Sequence, residues 1–400
     1  MKRISMDEWE SKYVAGPIEQ FIEKHTMFNR TRWDPDVKDL VKNWAIAGSP
    51  KDKAGYTMDA LALRWGSNAG TRLSILDAFK PNPNPINKAV AEAISTASAN
   101  RPSMIYTPPE GTKVDTSDQG KITLMIKKVS KWFGADLVGI CKLDRRWLYA
   151  SAATGDGLAT KGISDEYQYV IVLAYEMDYT LIKYFNTHTA NAATRMGYSR
   201  MAITNAHLAQ FIRQLGYKAI ESGNDIGLSV PMAMQAGLGD IGRHGLLITP
   251  EFGPRVRLSK ILTDLPLLVD SPIDFGITEF CRACMKCADK CPSQAISYNE
   301  RTPEPNNKSN NTGEMKWPIN AEICRTYWAR SAAPCVSCLA TCPYNKPYTR
   351  FHRTVRWLAD HARWADSFYV KMDDLFGYGK AQKADNFWEE WHPKNGFSST

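Results

Sequence analysis

The sequence has no apolar run of membrane length. Its longest, YVIVLAYEM from Tyr169, is strand-sized and far short of the roughly 18 residues that a spanning helix needs. The N-terminal MKRISMDEWESKYV contains neither a twin-arginine pair nor an apolar leader. A cytosolic protein and the mature form of an exported one both remain open. Basic runs interleaved with aromatics are also missing. Lys plus Arg is 50 against 42 Asp plus Glu, and the net charge of +8 is spread along the chain. This speaks against a nucleic-acid site, although a mildly basic surface suits an anionic membrane or an acidic partner. No repeat or low-complexity tract is present. Cysteine is almost confined to one region: eight of the nine fall between Cys281 and Cys342. The ninth, Cys141 in DLVGICKL, reads as a small core residue in a buried strand. Such clustering does not suit a secreted disulfide framework.

What is present is an ordinary globular composition, 44% apolar over 400 residues, enough for one large domain or a few smaller ones. The first 118 residues are rich in Trp, Pro and Asn and weakly periodic; FKPNPNPIN reads as a loop and KAVAEAIS as a short helix. From Gln119 the pattern sharpens. KITLMIKKVSKWF puts Ile122, Met125, Ile126, Val129 and Phe133 on one helical face. ADLVGICKL and YQYVIVLAYEM read as strands, the second apolar enough for burial on both faces. YSRMAITNAHLAQFIRQLGY reads as an amphipathic helix stopped by Gly216. YKAIES, HGLLIT and RVRLSKIL are further strands. Alternating helices and strands over 119–272 predict an α/β layer fold. Residues 273–348 form a cysteine-rich unit with a polar insert at Asn299–Lys316. Residues 349–400 read as a helical, aromatic-rich tail.

The cysteines fall in two frames. FCRACMKCADKCP spaces Cys281, Cys284, Cys287 and Cys291 as C-x2-C-x2-C-x3-C-P. The second frame holds Cys324, Cys335, Cys338 and Cys342, its first member displaced upstream. Three thiolates of such a frame wrap one iron–sulfur cube, and the fourth ligates the other cluster. That rule assigns Cys281, Cys284, Cys287 and Cys342 to one [4Fe–4S] cluster and Cys291, Cys324, Cys335 and Cys338 to the second. Two zinc sites are the competing reading; the repeated Cys-Pro and the crossed arithmetic disfavour it. GLGDIG (Gly237–Gly242) fits G-x-G-x-x-G, but a helix precedes it and a strand follows, the reverse of a dinucleotide site. Its glycines indicate either close approach to something large and flat or a tight helix–strand turn.

GLSVPMAMQAGLGDIGRHGLLITPEFGPRVRLSKILTDLPL, followed by the first cysteine frame, resembles the corrinoid-dependent reductive dehalogenases, with GYSRM and MDDLFGYGK adding to the likeness. The resemblance is strong from about Tyr167 to Lys380, and its nearest form is that of the tetrachloroethene reductive dehalogenases. It implies a nitroreductase-like corrinoid-binding α/β core, a ferredoxin-like domain with two [4Fe–4S] clusters, and a base-off cobamide. It also implies twin-arginine export to the outer face of the cytoplasmic membrane, a small membrane-anchor subunit, an upstream electron donor and no nucleic acid, and it leaves a homodimer open. The expected reaction is reductive dehalogenation of small organohalides such as chlorinated ethenes. None of the seven histidines lies in D-x-H-x-x-G, consistent with a cobalt that has no protein ligand below, is reducible to Co(I) and is open to substrate above. Carried over, the catalytic residues are Tyr198, Asn224 and Arg257. The substrate pocket is Phe28, Trp44, Trp65, Thr194 and Trp317. The corrinoid contacts are Ser229, Val230, Gly237, Leu238, Gly239, Gly242, Arg243 and Thr249. Reducing R–X to R–H takes two electrons and one proton, so a general acid is required. A tyrosine held by a cation and an amide can serve. An epoxyqueuosine reductase-like enzyme and a non-catalytic two-cluster electron carrier are the alternative readings.

Overall fold

The computed structural model describes residues 1–40, 53–68, 70, 113–150, 163–331, 333–385 and 387–391. The loop and short helix read in 79–95 lie outside the described residues, as does Trp44. At the centre is a four-stranded sheet. β1 (Leu137–Lys142), β2 (Tyr169–Glu176), β3 (Ala219–Ser222) and β4 (Val256–Thr263) lie in the order β1-β2-β4-β3. Every pairing is antiparallel; Leu137 faces Ala174, and Tyr175 faces Arg257. Alternation of helices with strands therefore does not make a parallel sheet here. HGLLIT contributes only Leu247–Ile248, which pairs with Asp240–Ile241 as a small hairpin apart from the main sheet.

β2 explains why its run is apolar throughout. Side chains of a strand alternate between faces, and both faces of this one are covered. Val170, Val172 and Ala174 pack with α3 (Ser229–Gln235), Trp147 and the N-terminal helix Met6–Tyr13. Ile171, Leu173 and Tyr175 pack with α1 (Gln119–Trp132) and α2 (His188–Gln214). Cys141 of β1 is buried on the α3 side, its thiol 3.6 Å from the Met232 carbonyl oxygen.

α2 runs 27 residues and begins ten residues before the apolar stripe that betrays it. Its first turns, HTANAATRMG, are small and polar, so no hydrophobic period marks them. Thr187 caps the start by accepting from the Ala190 N–H. The Ala-rich turns lie against the helix Met58–Gly66, where Ser199 Oγ donates to the Ser67 carbonyl at 2.7 Å. Gly216 follows the helix in the left-handed region, φ +87°.

The cysteine region carries short helices at Ile277–Ala283, Lys286–Asp289, Ala321–Arg330 and Ser337–Ala340. Its polar insert folds back on the N-terminus, with the Met315 N–H donating to the Tyr13 carbonyl at 2.8 Å. The tail supplies helices Arg350–His361 and Asp366–Leu375. Among the described residues no helix is long and apolar enough to cross a membrane.

Candidate active site

β4 delivers a cation to each face of the sheet. Arg257 points to the α2 side, where its Nη1 donates to the Tyr198 hydroxyl oxygen at 3.3 Å and its guanidinium carbon lies 5.2 Å from the Tyr198 ring centroid. The stem of Arg257 runs against α2 because residue 197 is glycine. A Cβ there would lie 2.6 Å from Arg257 Cγ. Arg257 Nε also reaches Met177 Sδ at 3.5 Å, and Thr194 Oγ1 lies 3.7 Å from the same sulfur.

The third member, Asn224, comes from the loop after β3. Its Nδ2 donates to the Tyr198 hydroxyl at 2.9 Å. Lys260, fully buried on the α3 face of β4, braces that loop by donating to the Gly223 carbonyl at 2.8 Å and to Ser229 Oγ at 3.1 Å. Burial pushes Lys260 down to about 8, against the raising pull of Asp225 and Glu23.

Burial of the phenol works to raise the Tyr198 pKa, since a tyrosinate is costly away from water. The Arg257 charge, the Asn224 amide, the Arg257 hydrogen bond and the Arg195 charge act the other way and prevail. Tyr198 titrates below the ordinary tyrosine value. Arg195, Met177, Gly197 and Lys260 escape sequence reading because each acquires its role only from what the fold packs beside it.

Of the pocket candidates, Thr194 stands one turn before Tyr198 on α2, and Trp65 lies under Arg195, guanidinium carbon to ring 6.0 Å. Trp65 is 50% exposed and Phe28 58% exposed, Phe28 meeting Trp328 edge-on at 5.9 Å. Trp317 is 1% exposed beneath Arg243, guanidinium to ring 4.7 Å.

Beside Tyr198 the chain is open. Asn224 and Asp225 are exposed, and Leu228, Ser229 and Val230 are half-buried. The glycine motif has a second use. A Cβ on Gly237 would meet the Ser271 carbonyl oxygen at 2.4 Å, and one on Gly239 would meet that of Ile248 at 2.2 Å. Both positions are forced by the chain's own close turns. Leu238 is buried, and Thr249 Oγ1 bonds within its own turn. Arg243 is buried too, donating through Nε to the Cys281 carbonyl at 2.9 Å and through Nη1 to those of Ser297 and Asn299.

Cys281, Cys284, Cys287 and Cys342 line one cavity, closed by His244, Ile248, Phe280, Pro343 and Tyr344. Among the described residues no three His, Cys, Asp or Glu side chains close on a single ion. Four thiols spaced around an apolar cavity suit a cube of iron and sulfide. Burial pushes Cys284 up to about 11 and Cys342 to about 12, so ligation must displace protons. In the other set, burial pushes the Cys338 thiol well above its ordinary value, and the neighbouring Cys335, Cys324 and Cys291 add to the rise. The first set is buried throughout, whereas Cys324, Cys335 and Cys338 are only half-buried.

Residues 280–346 match the 4Fe–4S dicluster domain family. The chain is 38% identical to the tetrachloroethene reductive dehalogenase of Sulfurospirillum multivorans, over 94% of this chain and 83% of that one. It is 38% identical to that of Desulfitobacterium hafniense over 68% of this chain, spanning 56% of the relative. The fold matches the catabolic reductive dehalogenase NpRdhA with a TM-score of 0.71 at 24% identity, over 99% of this chain and 51% of that one. With a mixed α/β core, eight clustered cysteines and a likeness of this extent, the chain belongs to the reductive dehalogenase family.

Proposed function

We propose that this chain reduces small organohalides, chlorinated ethenes or related aliphatics, at the Tyr198 hydroxyl: R–X + 2e⁻ + H⁺ → R–H + X⁻. The observation that carries the reading is the donor set on one phenol, Asn224 at 2.9 Å and Arg257 at 3.3 Å. A cobamide, when bound, would supply the reducing electrons. Ser229, Val230, Gly237, Leu238, Gly239, Gly242, Arg243 and Thr249 are the residues that would hold it. Two [4Fe–4S] clusters on the cysteine sets would feed it, and the second set, with Cys324, Cys335 and Cys338 half-buried, is the proposed entry side for an external donor. That donor, a membrane-anchor subunit and a station on the outer face of the cytoplasmic membrane complete the proposal.

The chain's own residues manage the proton. Tyr198 gives it to the carbon that loses halide. Arg257 then stabilises the tyrosinate with charge and a hydrogen bond, and Asn224 fixes the oxygen's position. Phe28, Trp65 and Thr194 are the proposed walls for a substrate that offers shape and polarisability but few hydrogen bonds; Trp44 is proposed with them on the resemblance alone, and Trp317, buried beneath Arg243 among the first cysteine set, presents no face to it. A purely electron-carrying protein would have no use for a phenol held this way.

Tyr198→Phe keeps the ring and removes the acid. General acid catalysis contributes about 10²- to 10⁴-fold, so product formation, followed by gas chromatography under anaerobic conditions, should fall at least that far. Cobamide uptake and its visible reduction should persist in the same sample. Unchanged turnover would show that the proton comes from elsewhere.

A further inference from the structure

The hairpin formed by Asp240–Ile241 and Leu247–Ile248 turns at Gly242–Gly245, and its tip enters the first cysteine set. Arg243 anchors that tip through the carbonyls of Cys281, Ser297 and Asn299. The next residue, His244, is 5% exposed and lines the cavity that the four thiols surround. Its Nδ1 accepts from the Leu246 N–H at 3.2 Å. An accepting Nδ1 carries a lone pair, so the neutral ring keeps its proton on Nε2. Nε2 is buried and has no hydrogen-bond partner among the described residues. A buried N–H left unsatisfied is costly, yet this one sits in a cavity whose other walls are thiols and apolar groups. Room for the ring depends on Gly242, where a Cβ would lie 2.9 Å from His244 Cε1 and 2.6 Å from Ile248 Cδ1.

We propose that His244 Nε2–H is a hydrogen-bond donor to a sulfur of the cluster held by Cys281, Cys284, Cys287 and Cys342, and sets that cluster's reduction potential. Nothing in the sequence reading gave this histidine a role; the inference rests on the cluster assignment proposed above. An added electron makes the cluster more negative. An N–H aimed at its sulfur stabilises the reduced form and raises the potential, one of the levers by which proteins tune such centres. His244 is a positioning residue for electron delivery and does not touch substrate.

The test uses reconstituted holoprotein containing about eight iron per chain, with histidine labelled by ¹⁵N. Pulsed electron paramagnetic resonance of the reduced wild type should detect one weakly coupled histidine nitrogen and one exchangeable proton on the first cluster. His244→Phe should abolish both and lower that cluster's midpoint potential in a redox titration, leaving the second cluster unmoved. His244→Gln keeps an N–H and should restore most of the potential. A cluster that is present but shows no such couplings, or an unshifted potential in His244→Phe, overturns the proposal. So does a nitrogen coupling strong enough for direct iron ligation. If neither variant takes up iron, the wild-type couplings alone decide. Wild type lacking the first cluster's resonance would overturn the cluster assignment instead.

Discussion

A phenol in water is a poor acid at neutral pH, and burial alone would make Tyr198 a worse one. What changes its character is the company of Arg257, Asn224 and Arg195. The consequence for pH is directional. As the proposed acid, Tyr198 must be protonated to donate, so activity should be present below its lowered pKa and be lost as pH rises through it. Arg257→Gln removes the charge but leaves an amide. The alkaline limb of kcat against pH should then move to higher pH, and the plateau should fall. A limb that stays in place would assign the titration to another group. The phenol and its two partners came from the sequence only through the family resemblance, on GYSRM, ESGND and GPRVRL; taken alone, Tyr198 would read as a core tyrosine. Met177, Gly197 and Lys260 were not legible, since a thioether, a missing side chain and a buried ammonium acquire meaning only from what lies across the sheet.

At the scale of elements, α2 and β4 meet with no room to spare at Gly197. Gly197→Ala raises helix propensity by about 1 kcal/mol, so α2 itself should not weaken. The new methyl nevertheless falls on the Arg257 stem. Misplacement of a catalytic group by about 1 Å can cost on the order of 10²-fold. The expected outcome is a helical content by circular dichroism equal to wild type, with turnover down by about that factor. Full activity would mean that Arg257 shifts without consequence. Element reading from sequence succeeded where periodicity was strong, in α1, β2 and the apolar half of α2. It failed in the first ten residues of α2, whose small side chains pack without a stripe. It also overextended HGLLIT, an apolar run buried by a hairpin rather than by the sheet.

Across the whole molecule, the tail is fastened to the first cysteine set by a buried charge cluster. Asp373 receives both Lys286 and Lys346, the latter at 2.6 Å, and Lys286 also meets Asp374 at 2.9 Å. Asp373→Asn leaves two lysines beside the cluster without their shared buried carboxylate. Breaking a buried pair typically costs about 3–5 kcal/mol, so the denaturant midpoint of the holoprotein should fall. The double variant Asp373→Asn/Lys346→Met should recover part of it. A midpoint unmoved in the single variant would show that the tail is not held by this cluster. MDDLFGYGK announced family likeness in the sequence, but only the fold reveals that its acidic pair faces lysines from two other segments. The crossed cysteine sets bear on how such a protein is made. On the proposed ligand assignment, a growing chain that has reached Cys291 displays four thiols in one tight frame, of which only three serve the same cluster. The fourth ligand of the first set, Cys342, is not yet synthesised, and the second set is waiting for Cys324, Cys335 and Cys338. Iron captured at that moment would recruit the wrong partner. On that assignment, loading is expected to follow translation of the whole cysteine region, and a chain cut between the frames is expected to mature neither centre.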